Sequence, residues 1–366
     1  MGIPAAAIAW RQSRPRQVLR YGFCLAFGAT FSTQSAVLYN PGEYPTSFRS
    51  PLDRLNRFPA EAAVAQTAEP KTIQLRMRCH CGRCSADWDV RTQHLSVVRC
   101  YCPACRHFQA SAFAAYLAVS AEPLELTGGY VQKLRGTCET LDSVERLLCS
   151  KCFTKLAVLP LGRPGEILLS LGSVADNSIP SWLASRWQTC FEEWSRDSEP
   201  LWWRARPGPC ALPRRSLKLQ GGCSCGRCSF EGELLPGEAQ HCYCKLCRQM
   251  SGSAAQTWLP APKETFRWTR SDALQLMRTT GHGQRHVCTA CGTVMTIVYD
   301  SQPDCIWPAA GTIDDAKLRK LDVGGGRTVG DAADPMWYRV IHICCAWMQP
   351  WYQLPDDGLP RLKYAG

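Results

Sequence analysis

The sequence predicts an all-β protein, mostly strands with minor helix, built as two tandem domains behind an N-terminal extension. Three observations carry this expectation. Short runs of alternating apolar and polar residues are bounded by Gly, Pro and Asp, a pattern of strands rather than long helices. Three cysteine motifs recur in the same order at a nearly constant offset, which marks an internal repeat. The length, 366 residues, accommodates roughly two domains and an extension at about 150 residues each. Hydrophobic residues at 45% and charged residues at 20% exclude wholesale disorder. No run of about 18 uncharged apolar residues occurs, so no membrane-spanning helix is expected.

Residues 1–70 differ in composition from the rest. No acidic residue precedes Glu43, while Arg11, Arg14, Arg16 and Arg20 cluster early. An acid-poor, Arg-containing leader fits an organelle transit peptide or a disordered tail. The first domain is expected over 71–206 and the second over 207–366. Ile73, Leu75 and Met77 alternate with polar neighbours, as do Leu217 and Leu219 in the second copy. Further strand candidates are 113–119, 154–161 and 167–171, then 294–299 and 341–346. One helix is expected at 181–194, where Trp182, Trp187, Phe191 and Trp194 fall at near-helical spacing. With Trp202 and Trp203 these form an aromatic patch between the copies.

Cysteine is the anomaly, at 23 residues. The first copy carries CHCGRC from Cys79, CYCPAC from Cys100 and CSKC from Cys149. The second carries CSCGRC from Cys223, CYCKLC from Cys242 and CTAC from Cys288, at offsets of 144, 142 and 139 residues. In a strand, residues i and i+2 point to one side, so CxC presents two sulfurs to one ion. A CxxC turn supplies two more, and two such pairs close a tetrahedral structural zinc site. This pairing gives Cys79, Cys81, Cys149 and Cys152, then Cys223, Cys225, Cys288 and Cys291. Cys100, Cys102 and Cys105 remain, with Cys242, Cys244 and Cys247 in the second copy. Three thiolates leave a fourth position open for chemistry, unless a histidine closes it. His107 or His94 could do so in the first copy, His241 or His286 in the second.

The other nine cysteines, Cys24, Cys84, Cys138, Cys190, Cys210, Cys228, Cys305, Cys344 and Cys345, read mostly as small buried hydrophobes. Cys84 and Cys228 recur three residues after a ligand and could compete for metal. Disulfides are disfavoured by the odd total and by CxC pairs too close to bridge comfortably. The formal charge of +11 counts each cysteine as a neutral thiol. Two four-thiolate and two three-thiolate zincs would subtract about 6. The basic balance then weakens as a sign of nucleic-acid binding, and Lys and Arg form no long run outside the leader.

The motif order CxCG, CxCxxCR with a following SG, then CxxCG resembles the glutathione-dependent formaldehyde-activating enzyme and centromere protein V family. The second copy matches along its length, with GGCSCGRCSF from Gly221, HCYCKLCRQMSG from His241, HVCTACG from His286 and AGTIDD from Ala310. Its closing HICCAWMQPWYQLPDDGLPR from His342 resembles the family's HI…PW…DGLP ending. In the first copy Gln109 and Ala110 stand where the second has Ser251 and Gly252. Phe153 stands where it has Gly292, and a Trp-rich segment takes the place of the closing element.

The resemblance implies tandem zinc-binding domains of the Mss-four-like fold, each with four cysteines on a structural zinc and three on a catalytic zinc. Up to four zincs per chain follow. The implied activity is a carbon–sulfur lyase that reversibly adds the thiol of glutathione, the co-substrate, to formaldehyde. The open site of the second copy, Cys242, Cys244 and Cys247, is expected to be the active centre, with Cys100, Cys102 and Cys105 its equivalent. Asp314, Asp315 and His342 are candidates for proton transfer, and Arg248 or Arg285 for a glutathione carboxylate. The expected partners are a small-molecule thiol and an aldehyde. The alternative is a non-catalytic zinc scaffold or interaction protein of the centromere protein V type. Thiolate ligands imply a reducing compartment, cytoplasm, or plastid or mitochondrion if the leader is a transit peptide.

Overall fold

The computed structural model describes residues 70–120, 126–200, 203, 217–234, 238–314 and 339–364. The leader, Cys24, Trp202, Cys210 and Asp315 lie outside the described residues. The first copy runs β1 (Thr72–Arg78), β2 (Ser85–Arg91), β3 (Ser96–Cys100), α1 (Pro103–Gln109), β4 (Ala114–Ser120), β5 (Val131–Cys138), β6 (Asp142–Cys149), β7 (Lys155–Pro160), β8 (Glu166–Ser170), α2 (Ser181–Thr189) and β9 (Phe191–Trp194). The second runs β10 (Leu217–Gly222), β11 (Cys228–Leu234), β12 (Glu238–Cys242), α3 (Lys245–Ser251), β13 (Gln256–Trp258), β14 (Ala261–Pro262), β15 (Arg267–Ser271), β16 (Leu274–Thr280), β17 (Gly283–Cys288), β18 (Val294–Tyr299), β19 (Cys305–Pro308) and β20 (Arg339–Ile343). Strands dominate, as the alternating runs predict.

The repeat is visible in the pairing. In the first copy β1 and β2 form a ribbon beside a seven-stranded sheet ordered β5-β6-β7-β8-β4-β3-β9. The second copy keeps the equivalent neighbours but divides them into β10-β11-β15, β13-β12-β20 and β14-β19-β18-β17-β16. In each copy the strand ending in the first cysteine of CxCxxC has one antiparallel and one parallel neighbour. Cys100 faces Ala114 and Trp194, and Cys242 faces Gln256 and Ile343.

That parallel edge explains where the expected helix stops. α2 ends at Thr189, and 191–194 is strand instead, paired along β3 from Val97↔Phe191 to Cys100↔Trp194. The open edge of β3 offers a row of backbone hydrogen bonds, which outweighs a four-aromatic periodicity. The Trp-rich segment thereby takes the structural place of the second copy's closing strand. The second departure is at 341–346. β20 stops at Ile343, because Cys344 adopts a left-handed φ of 60°.

The two copies share a reciprocal contact. The end of α3 meets the turn Leu171–Ser173 of the first copy, and the end of α1 meets the turn Ala310–Thr312 of the second. Glycine is required at both turns by proximity. A Cβ on Gly172 would lie 2.2 Å from the Arg248 carbonyl oxygen, and one on Gly311 would lie 2.4 Å from the Ser111 nitrogen. Polar bonds cross the same seam. Arg248 Nη1 and Nη2 donate to Asp176 at 3.1 and 3.0 Å, and Ser111 Oγ donates to the Ala255 carbonyl at 2.7 Å. The buried Lys155 donates to the Gly292 carbonyl.

Gly172→Ala is therefore expected to cost about 1–3 kcal/mol, because the added methyl meets backbone that cannot rotate away. Gly162→Ala, whose Cβ meets nothing within 4 Å, should stay within about 0.5 kcal/mol of the parent. Urea midpoints of the two variants check this, and equal midpoints would contradict it.

Candidate metal centres

Both CxC plus CxxC quartets assemble as the spacing predicts. Within each of Cys79, Cys81, Cys149, Cys152 and Cys223, Cys225, Cys288, Cys291, all sulfurs lie within 4.8 Å of one another. Cys79 and Cys81 Sγ are 3.5 Å apart, Cys81 and Cys149 3.8 Å. The matching separations in the second copy are 3.5 and 3.7 Å. Tetrahedral zinc with Zn–S near 2.3 Å places sulfurs about 3.8 Å apart, so these residues fit such an ion. No disulfide joins any described cysteine.

The local chain explains the geometry. Gly82 and Gly226, at φ 75° and 74°, turn the CxCG segment in the left-handed region. Cys84 and Cys228 contribute their backbone amides, donating to Cys79 and Cys223 Sγ at 3.2 Å each. Their own thiols do not join the quartets; burial pushes that of Cys84 up to about 11 and raises that of Cys228. Sequence reasoning missed two supporting hydroxyls. Thr154 Oγ1 lies 3.3 Å from Cys152 Sγ and accepts from the His80 amide, while Thr293 does the same for Cys291 and Ser224. The signal was present, since a threonine follows each CxxC two residues on. Such outer partners orient ligands.

The trios share a scaffold but differ in setting. Each middle cysteine caps a short helix, with Cys102 Sγ accepting from the Cys105 amide and Cys244 Sγ from the Cys247 amide, both at 3.4 Å. In the first copy a fourth sulfur joins. Cys138 Sγ lies 3.8 Å from Cys100 and 4.0 Å from Cys102, and all four sulfurs lie within 4.8 Å. The expectation of three sulfurs there, with Cys138 a mere space-filler, is corrected. All four are buried. Among the described residues the second cluster holds Cys242, Cys244 and Cys247, with Cys244 half-buried, while the buried Cys344 thiol meets Cys242 and Cys244 without lying within 4.8 Å of all three sulfurs.

Electrostatics sharpen the difference. Hydrogen bonding with Cys242, Cys247 and Cys344 holds the Cys244 thiol well below the usual thiol range, while the same contacts push Cys242 well above it. Arg285 is buried, and its Nη2 donates to Cys247 Sγ at 3.5 Å. Burial disfavours the guanidinium charge, but Cys247 together with Tyr299, Cys244 and Cys242 favours it and raises Arg285 overall. Tyr299 lies close to the same sulfurs; burial and their charge keep its hydroxyl protonated. The equivalent arginine of the first copy, Arg146, donates instead to the Thr137 carbonyl at 2.7 Å.

Other candidates land elsewhere. Arg248 does hold a carboxylate, but that of Asp176. His342 lies on the opposite strand face from Cys242: its neighbours Ile341 and Ile343 pack with that cysteine, while its Nδ1 meets Tyr243 Oη at 2.9 Å and its Nε2 meets Asp357 at 3.0 Å. His241 bonds Thr257, and His286 bonds Thr296. No histidine whose side chain is described enters a cysteine cluster, and the side chain of His94 lies outside the described residues. Asp314 is exposed, its amide donating to the Gln220 carbonyl.

The family comparison agrees with two copies in one chain. The model of the glutathione-dependent formaldehyde-activating enzyme family matches two segments, 74–194 and 218–323. A Halomonas elongata protein, provisionally named a glutathione-dependent formaldehyde-activating enzyme, is 26% identical over 105 residues, covering 27% of this chain and 67% of that protein. A crystal structure of a Rhodobacter sphaeroides protein aligns at 23% identity and a TM-score of 0.22, over 32% of this chain and 98% of that one. The two matched segments together span more than half of the sequence and contain both sets of cysteine motifs, and on that ground the chain belongs to the glutathione-dependent formaldehyde-activating enzyme family.

Proposed function

We propose that the second copy is a zinc-dependent carbon–sulfur lyase centre joining the thiol of glutathione to formaldehyde, reversibly. One observation carries the assignment: Cys242, Cys244 and Cys247 cluster as three sulfurs with Cys244 reachable from solvent. Family membership supports glutathione and formaldehyde as the reactants. Zinc held by these sulfurs supplies Lewis acidity and favours the thiolate form of an incoming thiol.

The protein's own groups do the rest. In the addition a C–S bond forms, the carbonyl π bond becomes a C–O single bond, and the thiol proton ends on that oxygen. Arg285 offsets the anionic charge of the trio from a buried position where its field is strong. Tyr299, held protonated, retains a hydroxyl donor close to Cys247 and Cys242. Trp258, Trp307 and Ile343 wall the cluster with apolar surface, limiting competing water. Aldehyde and thiol react readily unaided, so orientation and charge stabilisation suffice.

Magnetisation-transfer NMR of formaldehyde, glutathione and their adduct tests the reading. The zinc-loaded full chain should speed exchange, chelation should abolish the effect, and zinc should restore it. Exchange at the uncatalysed rate with metal bound would overturn the assignment and favour a zinc scaffold.

A further inference from the structure

We propose that the first copy's second cluster is a closed four-sulfur zinc centre, with Cys138 as the fourth ligand, and that it takes no substrate thiol. The fold delivers this sulfur by a change in one hairpin. In the second copy the β16–β17 ladder ends at the pair Thr280↔Gly283. Its equivalent in the first copy is Gly136↔Val144, but β5–β6 continues through Thr137↔Ser143 to Cys138↔Asp142. The extension carries Cys138 over the trio, where its 3.8 and 4.0 Å separations match the edges of a tetrahedral sulfur cage, about 3.8 Å.

Three further differences point the same way. Tyr116 occupies the register position of Trp258, and its hydroxyl donates to Cys105 Sγ at 3.8 Å. Gln109 occupies the position of Ser251, and its Nε2 donates to the Tyr116 hydroxyl at 3.2 Å. The first copy's departure from the family pattern at 109 is thus a support for the sulfur cage. Arg146 turns from the sulfurs to the Thr137 carbonyl beside Cys138. A saturated ion has no position for an incoming thiol, and the surrounding side chains, Val98, Leu141, Val144, Val158 and Leu168, are buried and apolar. The first copy then serves as a metal-stapled partner, contributing Phe108, Leu148 and Phe153 to the core around the second copy's trio.

Cobalt(II) spectroscopy tests this in full-length Cys244→Ser protein, where the second trio is disabled. With Cys138 present, the thiolate-to-cobalt and ligand-field bands should not respond to added glutathione. Cys138→Ser in that background should weaken the charge-transfer bands, speed metal release to a chelator by at least about tenfold, and make the bands respond to glutathione. Cys138→His, which keeps a ligand, should restore the insensitivity to thiol. A glutathione response with Cys138 intact would overturn the proposal, a result readable even if the serine variant does not fold. Unchanged bands and release in Cys138→Ser would do so as well.

Discussion

Cys244→Ser should lose one metal per chain and at least about a hundredfold in glutathione–formaldehyde exchange. Cys244 is the partly exposed member of the three-sulfur cluster, and the one of the three whose thiol is held below its usual range. Replacing an outer partner of a metal ligand already costs about 10–100-fold, so removing a ligand itself should cost no less. Cys102→Ser makes the matching change in the closed cluster. It should lower stability but leave the turnover of the folded fraction within about twofold, because Cys102 is fully buried and walled by apolar side chains. Native mass spectrometry counts the metals and exchange NMR reads the rate. Equal losses in the two variants would remove the functional distinction between the copies. Unchanged turnover in Cys244→Ser with one metal gone would remove the second copy's active role.

Cys288→Ala should unfold the second copy. Cys288 sits at the end of β17 and its sulfur approaches that of Cys225, 63 residues earlier. Structural zinc binding is worth about 10–16 kcal/mol in small zinc domains, against about 5–15 kcal/mol for the total stability of a typical domain. Loss of a large share of that binding energy should therefore exceed what the remaining core supplies. The damage should spread to the first copy, since α3 packs on its turn at Leu171–Ser173 and Gln349 donates to the Val174 carbonyl. Far-ultraviolet circular dichroism and limited proteolysis check both points. A variant with the parent's melting midpoint and protease resistance would show that the quartet holds nothing essential.

The quartets were legible because their ligands come in short local units. A CxC in extended chain and a CxxC at a tight turn each bring two sulfurs together whatever the rest of the fold does. Cys84 and Cys228 were legible only as recurring positions. Their role as amide donors depends on the left-handed turn at Gly82 and Gly226. Phe153 was visible as a departure from the pattern, but not its reason. It occupies a left-handed φ of 56°, and its ring lies 3.5 Å from where a Cβ on Gly292 would stand, across the seam between copies.

From its residues alone this chain declares a tandem β repeat, two sulfur quartets and two further trios, since each pair and trio of sulfurs rests on spacing within a few residues and the repeat on their recurrence in one order at offsets of 139 to 144 residues. What spacing could not carry was the difference between the copies. Cys138 follows Cys105 by 33 residues and reaches the trio only because a hairpin runs two pairs longer than its counterpart. Arg285 and Arg146 occupy equivalent strands, yet one meets a sulfur and the other a carbonyl. Both outcomes follow from where distant strands end and pack, and the free energy of that packing is shared among many contacts that no local motif records.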